Sequence, residues 1–105
     1  MKEITALELK TWMDEGKNIQ LIDVREDYER DLSNIGGDHI PMGEIMNKTE
    51  EIDRNKEVVV YCRSGGRSGA IVQQLGSILG ADNIYNLKGG MQGWKAAVDP
   101  SIQVA

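Results

Sequence analysis

The sequence predicts an α/β domain with a mostly parallel sheet and helices on both faces. Short apolar, strand-like runs alternate with amphipathic or charged, helix-like segments almost throughout. The run Val58-Val59-Val60-Tyr61 is continuously apolar and rich in β-branched residues, as strands buried on both faces are. Gly16 and Gly80 stand where helices on either side of that run need a stop.

The elements follow in chain order. Thr5 to Glu15 reads as a helix: Thr5 is placed to cap it with Glu8 three residues later, and Leu7, Leu9, Trp12 and Met13 give a mostly one-sided apolar set. Ile19 to Val24 is a short apolar strand interrupted by Asp23. Arg25 to Asp31 is strongly charged and is expected to be a short surface helix, with Arg25 solvated. Ser33 to Gly37 is a loop, and Asp38 to Pro41 is extended because Pro41 discourages helix at Ile40. A short helix is expected around Gly43 to Met46, with the polar stretch Lys48 to Asn55 also compatible with helix. After the central strand, Ala70, Ile71, Leu75, Ile78 and Leu79 form a helical stripe over Arg67 to Leu79. Asn83 to Leu87 is a further strand, Gly89-Gly90 opens a last helical turn carrying Trp94, and a loose tail is expected from Pro100.

At 105 residues the chain is expected to be one domain, 1–105, with a single core. It has no phenylalanine, so aliphatic residues and Met supply that core. No apolar run approaches the length needed to cross a bilayer, so no membrane association is expected. Met1 to Thr5 lacks the apolar stretch of a secretory signal. One cysteine cannot close an internal disulfide, which suits a reducing compartment and predicts a cytoplasmic protein. The net charge of −5 argues against nucleic-acid binding.

The exception to that acidity is local. Cys62 ends the central strand and is followed by Arg63, Ser64, Gly65, Gly66, Arg67 and Ser68, with no acid among them. A lone cysteine at a strand end is often an inert core residue. Paired glycines, flanking arginines and a following helix make that reading weak here. A turn of this kind aims backbone N–H groups inward, and the helix N-terminus adds positive potential. Such surroundings favour a thiolate and bind anions. Ser64 and Ser68 can donate hydroxyl hydrogen bonds, and Arg63 and Arg67 charge-assisted ones. One Cys and one His cannot form a usual zinc site, so neither metal nor cofactor is expected. His39, in an Ile-Pro context, is expected to be a packed strand-end residue and not the base of a Cys-His pair.

Tyr61-Cys62-Arg63-Ser64-Gly65-Gly66-Arg67-Ser68 resembles the active-site loop of rhodanese-type sulfurtransferases. Leu21 to Glu26, His39-Ile40-Pro41 and Asn86 to Trp94 are similar to the family's other signature blocks, in the same order. The resemblance implies a five-stranded parallel sheet flanked by helices, with the cysteine strand in the middle. It implies that Cys62 is the nucleophile and persulfide carrier, and that N–H groups from Arg63 to Ser68 hold the terminal sulfur anion. Arg63 and Arg67 would attract a small anionic donor, thiosulfate or a persulfide, and the acceptor would be a thiol, cyanide or a protein. Asp23 and Arg25 would buttress the neighbouring strand end; otherwise Asp23 is an ordinary turn carboxylate. The block from Gly89 to Trp94 is expected to be structural.

Two features depart from the commoner pattern. The stretch Ser33 to Ile45 is more similar to rhodanese domains fused to adenylating enzymes that activate sulfur-carrier proteins. Gly66 stands where many members carry a larger residue, which should widen the mouth. Two other functions fit parts of the pattern. Cysteine phosphatases and arsenate reductases use the same cradle but place one more residue between Cys and Arg than the four found here. They also need an acid for the leaving group, and none is evident in the loop. A non-catalytic binding module on the same fold would be expected to have lost the cysteine or the arginine.

Overall fold

The computed structural model describes all 105 residues. Five strands, all pairing in parallel, form one sheet: β1 (Lys2–Ile4), β2 (Ile19–Asp23), β3 (Asp38–His39), β4 (Glu57–Tyr61) and β5 (Ile84–Leu87), in the order β1-β5-β4-β2-β3. Four α-helices cover it: α1 (Ala6–Asp14), α2 (Asp27–Leu32), α3 (Gly66–Leu79) and α4 (Gly90–Ala97). The architecture is the α/β one expected, and the cysteine strand β4 is central.

Alternation along β4 divides the core, because successive side chains of a strand leave opposite faces. Val58, Val60 and Cys62 join Ile22, Val24 and the Ile71, Val72 and Leu75 stripe of α3 on one side. Val59 and Tyr61 join Leu21, Leu9 of α1, and Met91 and Trp94 of α4 on the other. All five residues from Val58 to Cys62 are buried, which is why the run has no charged member.

Helix termini match their sequence signals. Thr5 caps α1 in a reciprocal box with Glu8, the Glu8 N–H donating to Thr5 Oγ1 at 3.1 Å and the Thr5 N–H to Glu8 Oε1 at 2.9 Å. Gly80 ends α3 in the left-handed conformation.

Several expectations change. Lys2–Ile4 forms an edge strand that no apolar pattern announced, since only Ile4 is buried and pairing with β5 creates the strand. Leu7 and Met13 of α1, and Ala70 and Ile78 of α3, face outward, so both apolar stripes are narrower than the residue types suggest. The segment from 43 to 55 holds only two 3₁₀ turns, Ile45–Asn47 and Thr49–Glu51, and no α-helix. The tail after Pro100 is not loose: Ile102 and Val104 pack against the Trp94 side of the core, and the Ser33 hydroxyl donates to the Gln103 carbonyl. Arg25 to Asp31 does contain helix α2, but Arg25 and Glu29 are buried.

Candidate active site

Cys62 lies just past the end of β4, where the chain turns into α3. Its Sγ accepts from the Gly65 N–H at 3.1 Å and the Ser68 N–H at 3.4 Å, and the Ser68 Oγ lies at 3.2 Å. The N–H groups of Arg63, Ser64, Gly66 and Arg67 have no hydrogen-bond acceptor elsewhere in the fold. A loop whose donors either face the sulfur or lack a partner suits an anion. Burial pushes the thiol up, but the Ser68 hydroxyl and the N–H groups of Ser68, Gly65 and Ser64 outweigh it and hold Cys62 below the ordinary thiol value.

The two loop glycines do different work. Gly65 sits at φ +101°, a conformation glycine adopts without strain, and this orients its N–H toward the sulfur. Gly66 has ordinary helical backbone and open space where a Cβ would stand, so it keeps the mouth wide instead of shaping the turn. Arg63, Ser64 and Gly66 are exposed at the rim while Cys62 is buried beneath them. The two surface cavities, about 400 and 420 Å³, are lined by other residues.

The start of α4 clamps the loop from the side. The Met91 and Gln92 N–H groups donate to the Cys62 and Arg63 carbonyls, both at 2.9 Å. A Cβ on Gly90 would stand 2.4 Å from the Cys62 carbonyl oxygen, so only glycine permits this approach. The structural role expected of the 89–94 block thus acts on the backbone of Cys62 itself.

Asp23 and Arg25 form a fully buried pair at the end of β2. Asp23 accepts from Arg25 Nε and an Nη, both at 2.9 Å, and from the Arg25 N–H at 3.0 Å. Asp23 is therefore both a turn carboxylate and an ion-pair partner, and Arg25 is not solvated. Arg25 also donates to the Ser33 carbonyl at 2.7 Å, and Arg30 to the carbonyls of Gly36 and Gly37, tying the 33–37 loop to the sheet. Burial pushes the Tyr61 hydroxyl up to about 12, so it stays protonated and donates to the Gly36 carbonyl at 2.9 Å. His39 is the strand-end residue expected: its Nε2 lies 2.8 Å from the Arg25 carbonyl oxygen.

The loop arginines part company. Arg67 makes a bidentate pair with Glu29 of α2, both N···O distances being 2.8 Å. Arg63 has no ion-pair partner.

Residues 5–97 match the sequence profile of the rhodanese-like domain. The chain belongs to the rhodanese-like family. It is 39% identical over 101 residues to a putative sulfurtransferase, YtwF, of Bacillus subtilis, covering 95% of this chain and 96% of that protein. It is 29% identical over 102 residues to the probable adenylyltransferase/sulfurtransferase MoeZ of Mycobacterium tuberculosis, covering 94% of this chain but 26% of that protein. The crystal structure of a rhodanese-like domain protein from Staphylococcus aureus superposes with a TM-score of 0.83 at 32% identity, covering 100% of this chain and 99% of the other.

Within this rhodanese-like site, sequence reasoning missed three contributors: Glu29, Gly90 as a contact to the cysteine, and Asn86. Asn86 on β5 accepts from the Ser68 hydroxyl at 2.6 Å, and its Nδ2 donates to the Gly65 carbonyl at 3.2 Å. A polar residue in a strand otherwise made of Ile84, Tyr85 and Leu87 was the available signal.

Proposed function

We propose that this chain is a sulfurtransferase that carries a sulfane sulfur on Cys62. The observation behind the proposal is the sulfur atom of Cys62 at the base of a loop with donors on it and partnerless N–H groups around it. In the first half-reaction the Cys62 thiolate attacks the sulfane sulfur of thiosulfate or a persulfide. The donor's S–S bond breaks, sulfite or the donor thiolate leaves with the electron pair, and the Sγ–S bond of the cysteine persulfide forms. The terminal sulfur then carries the negative charge, which the N–H groups from Arg63 to Ser68 accommodate. In the second half-reaction a thiolate, cyanide or a protein thiol attacks that terminal sulfur, and the Cys62 thiolate leaves.

Arg63, exposed and unpaired, meets the anionic donor at the rim. Arg67 is committed to Glu29, so its contribution is chiefly to hold α2 beside the loop and to add positive potential near the sulfur. With no second cysteine in the chain, the persulfide waits for an external acceptor. A reactive thiol of this kind suits a reducing cytoplasm, and no helix is long and apolar enough to cross a membrane.

Mass spectrometry after incubation with thiosulfate or a low-molecular-weight persulfide should show one added sulfur on Cys62, lost again on adding cyanide. No addition with any sulfane donor would overturn the proposal. Turnover of an aryl phosphate in its place would favour the phosphatase alternative.

A further inference from the structure

Behind the cysteine, away from the loop rim, lies a buried chain of polar groups. Cys62, Ser68 and Asn86 are each almost fully buried. Asn86 Nδ2 lies 3.2 Å from the Gly65 carbonyl oxygen and 3.5 Å from a Glu3 carboxylate oxygen, both acceptors only. The amide orientation is thereby set, and Asn86 Oδ1 faces Ser68 as an acceptor. The Ser68 hydroxyl has one proton and two acceptors for it, Asn86 Oδ1 at 2.6 Å and Cys62 Sγ at 3.2 Å. It cannot serve both.

The charge on Cys62 decides between them. When Cys62 is a neutral thiol, its S–H can donate to Ser68 Oγ while Ser68 donates to Asn86. When Cys62 is a thiolate, the ionised sulfur is the stronger acceptor and draws the hydroxyl proton. Asn86 Oδ1 is then left buried without a donor, which is costly. When sulfur is loaded, the negative charge moves to the terminal sulfur, Sγ becomes a weak acceptor, and the hydroxyl can return to Asn86.

We propose that Asn86 is a positioning residue for sulfur loading: its carboxamide oxygen reclaims the Ser68 hydroxyl when negative charge leaves Cys62 Sγ. Loading then restores a hydrogen bond that the resting thiolate gives up. The proposal rests on Cys62 being the sulfur carrier. On α3 the charged group near Cys62 is Arg67, with Glu29 of α2 behind it, and the Asp23–Arg25 pair stands at the end of the neighbouring β2. Arg63 stands at the rim, Glu3 of β1 lies beyond Asn86, and α4 brings backbone N–H groups to the loop carbonyls. None of these lies between Ser68 and Asn86.

The test is the pH profile of Cys62 alkylation by iodoacetamide in the wild type, Ser68→Ala, Asn86→Ala and the double variant. It uses no sulfur donor, so its outcome is separate from that of the persulfide experiment. Asn86→Ala frees the hydroxyl for the thiolate and should lower the alkylation midpoint by about half a unit to one unit, the worth of one neutral hydrogen bond. Ser68→Ala should raise the midpoint, and adding Asn86→Ala to it should then change nothing. A shift that persists undiminished without Ser68, or no shift at all, overturns the proposal. Asn86→Leu fills the same space without an acceptor and covers the case in which the cavity left by alanine prevents folding. Its midpoint should fall with Ser68 present and stay put in the Ser68→Ala background, and an equal fall in both backgrounds would refute the relay.

Discussion

Two adjacent glycines illustrate how much a single residue's backbone decides. Gly65 is held at φ +101° with its N–H on the sulfur, whereas Gly66 has ordinary dihedrals and no neighbour at its Cβ position. Gly65→Ala should therefore cost about 1–2 kcal/mol of stability, the left-handed penalty for a residue with a Cβ, and slow Cys62 alkylation. Gly66→Ala should leave stability unchanged or raise it by up to about 1 kcal/mol through helix propensity. Thermal melts of the two variants check this, and equal losses would mean that the turn does not depend on Gly65. Both glycines were legible in the sequence as a cradle, but their division of labour was not, because φ is set by where α3 must begin. Cys62 itself was legible because every signal around it is local: a strand end, a turn and a helix start.

At the scale of elements, the site depends on α2 being fastened to α3. The Glu29–Arg67 pair does this, and Glu29 also closes a capping box at the start of α2 by accepting from the Glu26 N–H at 3.1 Å. The Arg67 guanidinium holds the Glu29 carboxyl below its ordinary value. A carboxyl lowered in the folded state stabilises the fold fully above its unfolded value of about 4.3, and that contribution disappears as pH falls through the folded value. Wild type should accordingly exceed Glu29→Gln by about 1–2 kcal/mol at neutral pH, the gap closing in acid below about pH 4. Urea unfolding across that range measures it; a gap independent of pH would show that the ionised pair is not what fastens α2. Charge patterning alone placed Arg25 to Asp31 on a solvated face. Nothing local distinguishes a buried, paired charge from a hydrated one, since Glu29 finds its partner far along the chain and Arg25 is covered by the loop that follows.

For the whole molecule, the deepest polar feature is the Asp23–Arg25 pair, with side chains 0% and 1% exposed. It joins β2 to the 33–37 loop through the Ser33 carbonyl, with Arg30 bracing the same loop. Asp23→Ala strands a buried guanidinium and should cost about 3–5 kcal/mol, a large share of the roughly 5–15 kcal/mol that holds a domain of this kind together. Equilibrium unfolding decides it, and a loss under about 1 kcal/mol would mean that the pair is dispensable.

Some of this protein was written locally. The β-branched run before Cys62, the glycine stops, the Thr5–Glu8 cap and the cysteine turn all follow from neighbours within a few residues, so the α/β class and the candidate cysteine loop were readable without coordinates. The tertiary structure decided which side chains meet. It made Lys2–Ile4 a strand, seated Ile102 and Val104, gave Arg67 to Glu29, and set Asn86 behind Ser68. Each of those outcomes depends on a partner distant in sequence, brought close only when the sheet assembles around β4.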